Sequence, residues 1–493
     1  MRETIITDEK RSIFFYTTFF FLRNLIRRNN GGSMKLKLAV CIFVAVFLSA
    51  VIFKVNQVEY IPEYDSGGKS LQAVNSENIT EIKTEAETTT NEESKKDNTV
   101  RIVILNNNYI TMHYSKFVAK ASVLNIYFGE NFKNKKSIKK QIDIGTGSKY
   151  FKQSNVIKVE PKGEMSILKD EKNMQSYKGI FYIYKESSGL VLVNQVGMED
   201  YVAAVISSEI GEESPKEALK AQAVCARTYI MKSQGKKYKK YNAKGDDSVS
   251  YQVYNKNVPG ENSIKAANET KGTVMKYKGK LINAYYFSTS WGYTTDYRIW
   301  GKKKQKYLKE TNLTTITENI SDEKIFDKYI KEKPKSVEKK LPFYRWTTYL
   351  TTKQIENSIY KNMAVNVGTI NRMEINKRGA GGIVAQMTIY GDKRQISIVN
   401  QNQIRKILSS YYSTIKLSDK TKRTKLSMLP SAFISIKSVY KNNKLDGIKI
   451  YGGGFGHGSG MSQSAACQMA KKGKGYKEIL ATFYNDVEIT SLQ

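Results

Sequence analysis

Behind residue 100 the chain is written in short apolar runs: Arg101-Ile-Val-Ile-Leu, Ser122-Val-Leu-Asn-Ile-Tyr-Phe, Ile180-Phe-Tyr-Ile-Tyr and Leu190-Val-Leu-Val-Asn. Gly, Asn and Lys break them, and β-branched or aromatic runs bounded by turn residues predict strands. The period then changes. Glu199-Asp200-Tyr201 opens a short helix through Val205 and Ile206, with Glu209 expected in the loop behind it. Ser214-Pro215-Lys216-Glu217 reads as a capping box with proline at the first helical position, so a helix is predicted from there to about Lys232, with Gly235 past its end. Ala218, Ala221, Cys225 and Thr228 or Tyr229 share one face of it, small enough to let a neighbour approach closely.

Farther along, Lys280-Leu-Ile-Asn-Ala-Tyr-Tyr-Phe predicts a strand, and Ser288-Thr-Ser-Trp-Gly-Tyr-Thr-Thr a polar turn. Residues 302–342 read as a lysine-rich insertion and 342–438 as a β-rich subdomain with an amphipathic stretch at Gln401 to Leu408. A strand at Ile448 to Tyr451, a glycine loop, a helix from Met461 to Lys472 and a last helix at Tyr476 to Tyr484 close the chain. The expected fold class is α+β: a β-rich body over 100–493 with a few short helices.

The front of the chain follows another pattern. Leu38 to Phe53 is apolar apart from Ser49, preceded by Lys35 and Lys37 and followed by Lys54. At 1.5 Å per residue it reaches roughly 24 Å, enough for a bilayer once the lysines snorkel. Basic residues before it and Glu59, Glu63 and Asp65 after it put the N-terminus on the cytoplasmic side. The expectation is a single-pass membrane anchor within 34–60 and an extracytoplasmic body. Residues 61–99, rich in Ser, Thr, Glu and Asn, read as a disordered linker. Residues 1–33 read as a non-native upstream extension, with Met34 as the expected start.

The 33 tyrosines, 33 glycines and only 7 prolines fit a strand-rich folded chain. The net charge of +34 attracts polyanions, but no nucleic-acid motif accompanies the lysine runs at 236–240 and 302–306, so nucleic acid is not an expected partner. Cys41, Cys225 and Cys467 make no disulfide framework, and with His113 and His457 the only histidines no metal is expected; no cofactor is expected either.

The candidate chemistry lies in two stretches. Glu209 precedes the best-marked helix, while Glu212 and Glu213 are explained as exposed charges before a helix N-terminus. The loop Gly452-Gly-Gly-Phe-Gly-His-Gly-Ser-Gly-Met-Ser-Gln lacks the Gly-Lys-Ser/Thr ending of a phosphate loop and fits no dinucleotide fingerprint. It brings backbone and His457 close to another surface without bulk between. The Ser288–Thr294 turn offers hydroxyls and amides to a ligand.

Asp200-Tyr201-Val202 with Glu209, Glu217-Ala-Leu-Lys-Ala-Gln-Ala-Val with Ala226-Arg-Thr-Tyr, Ser288-Thr-Ser with Gly292, Thr294 and Trp300, Tyr344 to Trp346, and Gly454-Phe-Gly-His-Gly-Ser-Gly-Met-Ser-Gln together resemble the SpoIID/LytB family. The resemblance implies a lytic transglycosylase acting on peptidoglycan glycan strands stripped of stem peptides, or, in its other branch, an enhancer of a cell-wall amidase. It puts the catalytic glutamate on Glu209. Substrate contacts are expected from Lys220, Gln222, Arg227, Tyr229, Ser288, Thr289, Ser290, Gly292, Thr294, His457, Gly458, Ser462 and Gln463. Phe287 stands where many relatives carry a histidine, and Trp291-Gly292 where they carry Gly-Gly, so the metal some relatives bind near this turn lacks its ligands here. A single carboxyl suffices for such a reaction when the muramic O6 hydroxyl is the tethered nucleophile. Glu209 would need a pKa raised by burial, with Trp291 or Tyr229 expected to complete its apolar wall.

Overall fold

Strand runs that alternate buried and half-exposed positions pair into a ten-stranded sheet at the front of the folded body. The structure, a computed structural model, describes residues 98–106, 108–169, 173–301, 303–409 and 413–492. The expected anchor, the upstream extension and the linker as far as residue 97 lie outside the described residues. Among those described, no helix is long and apolar enough to cross a membrane.

In that sheet Thr99–Ile104 lies between Gly189–Gly197, antiparallel, and the short Gly245–Asp246, parallel. The order continues through Ile180–Glu186, Val156–Pro161, Lys116–Phe128, Met165–Lys169 and Asn173–Tyr177. All four apolar runs singled out in the sequence are strands of this sheet. Their inward residues, among them Ile102, Leu124, Ile126, Phe181, Ile183 and Leu192, are fully buried against the helices that follow.

Three helices cover one side: α1 (Met198–Glu209), α2 (Lys216–Lys232) and α3 (Glu261–Glu269). The second is buried on two faces. Leu219, Ala223, Ala226 and Ile230 join the core of the large sheet, whereas Ala218, Ala221, Val224 and Cys225 join a second core with Met461, Ala465, Ile479 and Phe483. Its alanines therefore serve two close contacts at once, more than the single face predicted.

Two corrections concern the ends of these helices. The first runs through Ser207 and Ser208 to Glu209, because both serine hydroxyls donate back to the Ala204 carbonyl (3.2 and 2.7 Å) and so remain compatible with helix. Gly211, at φ +89°, then ends it, its N–H reaching the Ile206 carbonyl at 3.3 Å. The expected capping box does not form. Pro215 is the N-cap, the Ser214 hydroxyl donates to the Ile210 carbonyl, and the Glu217 carboxylate accepts from the Tyr476 N–H.

The back of the body holds a five-stranded sheet, in which Trp346–Thr351 pairs with Lys444–Gly452, and a three-stranded sheet over Ile370–Ile398. The amphipathic stretch is a helix, Gln401–Ile407. The predicted strand at 280–287 is two short pieces, Lys280–Leu281 and Tyr286–Phe287. The described body is thus mixed and strand-rich with a few helices.

Candidate active site

Tyr286–Phe287 pairs in parallel with Met461–Ser462, and around this two-residue ladder the separate motifs meet. Thr289 and Phe455 exchange backbone hydrogen bonds at 3.0 and 2.7 Å, and the Thr295 N–H donates to the Gly458 carbonyl at 2.7 Å. The polar turn and the glycine loop are therefore one structure. Gly460, at φ +78°, passes so close that a Cβ there would lie 1.9 Å from the Tyr285 carbonyl oxygen, which only glycine allows.

Glu209 ends α1 beside this ladder. The residue is half-buried, and its carboxyl is the sheltered end. The Val253 N–H donates to Oε1 at 2.7 Å, and the Tyr286 phenol and Gln463 amide lie within hydrogen-bonding reach of the carboxyl. Burial raises its pKa, outweighing the opposite pull of Val253, Tyr286, Gln463 and the Lys256 charge. A position at a helix C-terminus adds to the disadvantage of the anion. The wall is made by Tyr201 and Tyr286, joined through Gln252, which donates to the Tyr201 oxygen and accepts from Tyr286, each at 3.0 Å. Trp291 is not part of it: the indole stacks on Tyr293 and packs on Phe326 in another core.

The rival acids are accounted for. Glu212 caps a helix, but α3 rather than the one that follows it, accepting from the N–H groups of Gly260, Asn262 and Ser263. Glu213 is exposed.

The expected substrate contacts divide. Gln463, Gln222 and Tyr229 lie at the site: the Gln463 Nε2 reaches both the Glu209 carbonyl and Gln222 Oε1 at 3.4 Å, and the Tyr229 ring packs edge-on against Tyr285. Gln222 is fully buried, and its Nε2 has no partner among the described residues. Ser288 and Thr289 border it, with Thr289 Oγ1 2.9 Å from Ser464 Oγ. Arg227 points elsewhere. Its guanidinium is 1% exposed, pairs with Glu199, and donates to the carbonyls of Thr273 and Ala267, both at 3.1 Å. Lys220 bridges Glu217 and Glu269 (2.9 and 2.7 Å). Thr294 accepts from the Thr311 N–H, and Gly292 and Gly458 shape backbone at positive φ.

His457 is a brace. Its Nδ1 accepts the Ser459 N–H at 3.1 Å, its ring is hydrogen-bonded to the Tyr286 backbone, and Tyr285, Phe287 and Trp300 surround it. Burial and the nearby Arg405 charge push its pKa down to about 4, so at neutral pH it is an uncharged clasp on the residue whose phenol faces Glu209. The turn does not fit a metal: Phe287 is buried, Ser290 is engaged by a carboxyl, and among the described residues no three His, Cys, Asp or Glu side chains gather.

That carboxyl belongs to Glu338, which the sequence left inside a lysine-rich segment. It is 0% exposed and accepts from the Ser290 N–H at 3.0 Å, the Ser290 hydroxyl and the Ser462 hydroxyl at 2.8 Å. Burial pushes its pKa up to about 7 against the pull of the two serines. Nothing local marks it, since Lys335, Lys339 and Lys340 flank it. Tyr286 was equally hidden, as one aromatic in a predicted strand.

Residues 186–277, which carry α1, α2 and Glu209, match the SpoIID family, described as stage II sporulation protein. The chain is 28% identical over 313 residues to stage II sporulation protein D of Bacillus amyloliquefaciens, covering 60% of this chain and 75% of that one. These matches support the SpoIID/LytB family. An uncharacterized protein of Brachyspira hyodysenteriae is 29% identical over 64% of this chain and 72% of its own length. The amidase enhancer of Bacillus subtilis is 28% identical over 58% of this chain and 40% of its own. Residues 295–460 match a domain of unknown function, DUF8618. That second segment supplies Glu338 and the glycine loop as far as Gly460.

Proposed function

We propose that the chain is a peptidoglycan lytic transglycosylase, cleaving glycan strands freed of stem peptides to 1,6-anhydro-muramyl products, with Glu209 as its one acid and base. The observation that carries this reading is the sheltered Glu209 carboxyl with its raised pKa, where the family motifs converge. With Oε1 held by an N–H donor, the proton is favoured on Oε2. That proton goes to the glycosidic oxygen as its bond to the anomeric carbon breaks. The muramic O6 hydroxyl then bonds to that carbon and returns a proton to the carboxylate. Atoms balance without water or a second carboxylate. Tyr286 and Gln463 orient the carboxyl, and Gln222 has a donor to offer.

The test is product mass spectrometry on denuded glycan strands. Wild type is expected to release anhydro-muramyl sugars, and Glu209→Gln to lose about 100-fold or more of that rate. Absence of these products from wild type, while a known transglycosylase makes them from the same strands, refutes the reading.

A second reading, recruitment or stimulation of a cell-wall amidase, is favoured by the relative named amidase enhancer. The same variant separates the two: an enhancer keeps its effect on an amidase with Glu209→Gln. In either case we place the body outside the cell membrane, tethered through 38–53 with the N-terminus cytoplasmic. Protease digestion of intact protoplasts is then expected to remove the body.

A further inference from the structure

We infer that Glu338 is a positioning residue for the Glu209 site: it ties the Ser288–Ser290 turn to the start of the Gln463–Lys471 helix and so fixes where Gln463 meets Glu209. This rests on the reading above and extends it to a residue outside the segment matched to SpoIID.

The geometry is specific to a carboxyl. Two donors come from Ser290, at the end of the polar turn, and one from Ser462, the residue before Gln463. A carboxyl has two oxygens that accept on several sides, whereas an amide offers one acceptor oxygen and a hydroxyl one shared oxygen. No other side chain of this length serves both segments together. The two serines also have further tasks: Ser462 Oγ caps the helix by accepting the Ala465 N–H, and Ser290 Oγ accepts the Gly292 N–H at 3.1 Å. Glu338 thereby orients the first turn of the helix that bears Gln463.

The carboxyl is itself held. The Ser336 hydroxyl accepts the Glu338 N–H at 3.3 Å, and the Glu338 carbonyl accepts the Leu341 N–H at 2.9 Å. Among the described residues no cation pairs with it. The buried Arg345 donates to the carbonyls of Glu332, Trp291, Tyr344 and Tyr329 instead, and Tyr344 is a titratable group facing Glu338. A buried acid without a counter-charge is costly to keep, and a fully satisfied polar network that specifies one arrangement is the physical return on that cost.

The test uses the full chain as wild type, Glu338→Gln and Glu338→Ala, with two independent readouts. Hydrogen exchange is followed in peptides spanning 286–292 and 461–466, with 180–197 of the large sheet as reference. Turnover is followed on denuded glycan strands. Exchange in both site segments is expected to rise tenfold or more in Glu338→Ala and less in Glu338→Gln, with the reference unchanged. Turnover is expected to fall in kcat by about 10- to 100-fold with little change in KM, in the same order. Should Glu338→Ala not fold, Glu338→Gln decides by the same criteria. Unchanged exchange in both segments overturns the proposal, as does a loss confined to KM or an exchange increase shared by the reference. If wild type shows no turnover, the proposed reaction falls, and exchange alone still decides whether Glu338 holds the two segments together.

Discussion

Replacing Arg227 with methionine separates a structural role from the substrate contact that the family resemblance implies. The guanidinium is 1% exposed, makes a forked contact with Glu199, itself 13% exposed, and satisfies two carbonyls from the α3 end and the strand that follows. Methionine fills much of the volume but removes the guanidinium donor from Glu199 and from those carbonyls. Breaking a buried pair from one side costs about 3–5 kcal/mol. A folded body of roughly 390 residues unfolds with an entropy near 0.8 kcal/mol/K, so the midpoint is expected to fall by about 4–6 °C. The double variant with Glu199→Gln removes the stranded charge, so its loss is expected to be smaller than the sum of the two single losses, by about 1–3 kcal/mol. Calorimetry of the four proteins, with KM measured alongside, checks this. An Arg227→Met protein with an unchanged midpoint and a raised KM refutes the reasoning and returns Arg227 to the substrate.

The remaining predictions concern ionisation and close packing. Glu338 has a folded pKa above its unfolded value, so its contribution is fully present below about pH 4.5 and is lost as pH rises through about 7. Urea unfolding across that window is expected to show wild type losing about 3 kcal/mol relative to Glu338→Gln; parallel curves refute it. The His457 imidazole is expected to stay neutral down to about pH 4 in nitrogen NMR, and a midpoint near 6.5 contradicts its burial. Gly460→Ala, with positive φ and a Cβ driven onto the Tyr285 carbonyl, is expected to lose about 3 kcal/mol in denaturant titration; a loss below about 0.5 kcal/mol argues against that approach.

Much of the front sheet was legible because its strands keep local alternation between buried and polar positions. The helix at 216–232 was legible from the Ser214-Pro215-Lys216-Glu217 signature, although its start rests on Pro215 rather than on the Ser214 and Glu217 side chains. Glu209 was expected in a loop behind Ile206, yet Ser207 and Ser208 back-bond within the helix and carry it to Glu209, a choice that packing makes. At the site, Glu209, Gln222 and Gln463 could be picked out by motif. Arg227 and Lys220 carry the same motif, but Glu199, and Glu269 beside the local Glu217, engage them from other elements. Tyr286, Val253 and Glu338 act through tertiary proximity alone, and no local spacing announces them.

The short parallel ladder between residues 286–287 and 461–462 has a consequence for timing. Its two halves lie about 175 positions apart, and contacts so distant along the chain form late, after the entropy of the intervening loop has been overcome. A polypeptide still emerging from a ribosome or translocation channel, with residue 463 not yet through, holds Glu209 on its helix without the amide that meets it. On the reading proposed above, the Glu209 site is therefore complete only once both halves of the ladder have been delivered.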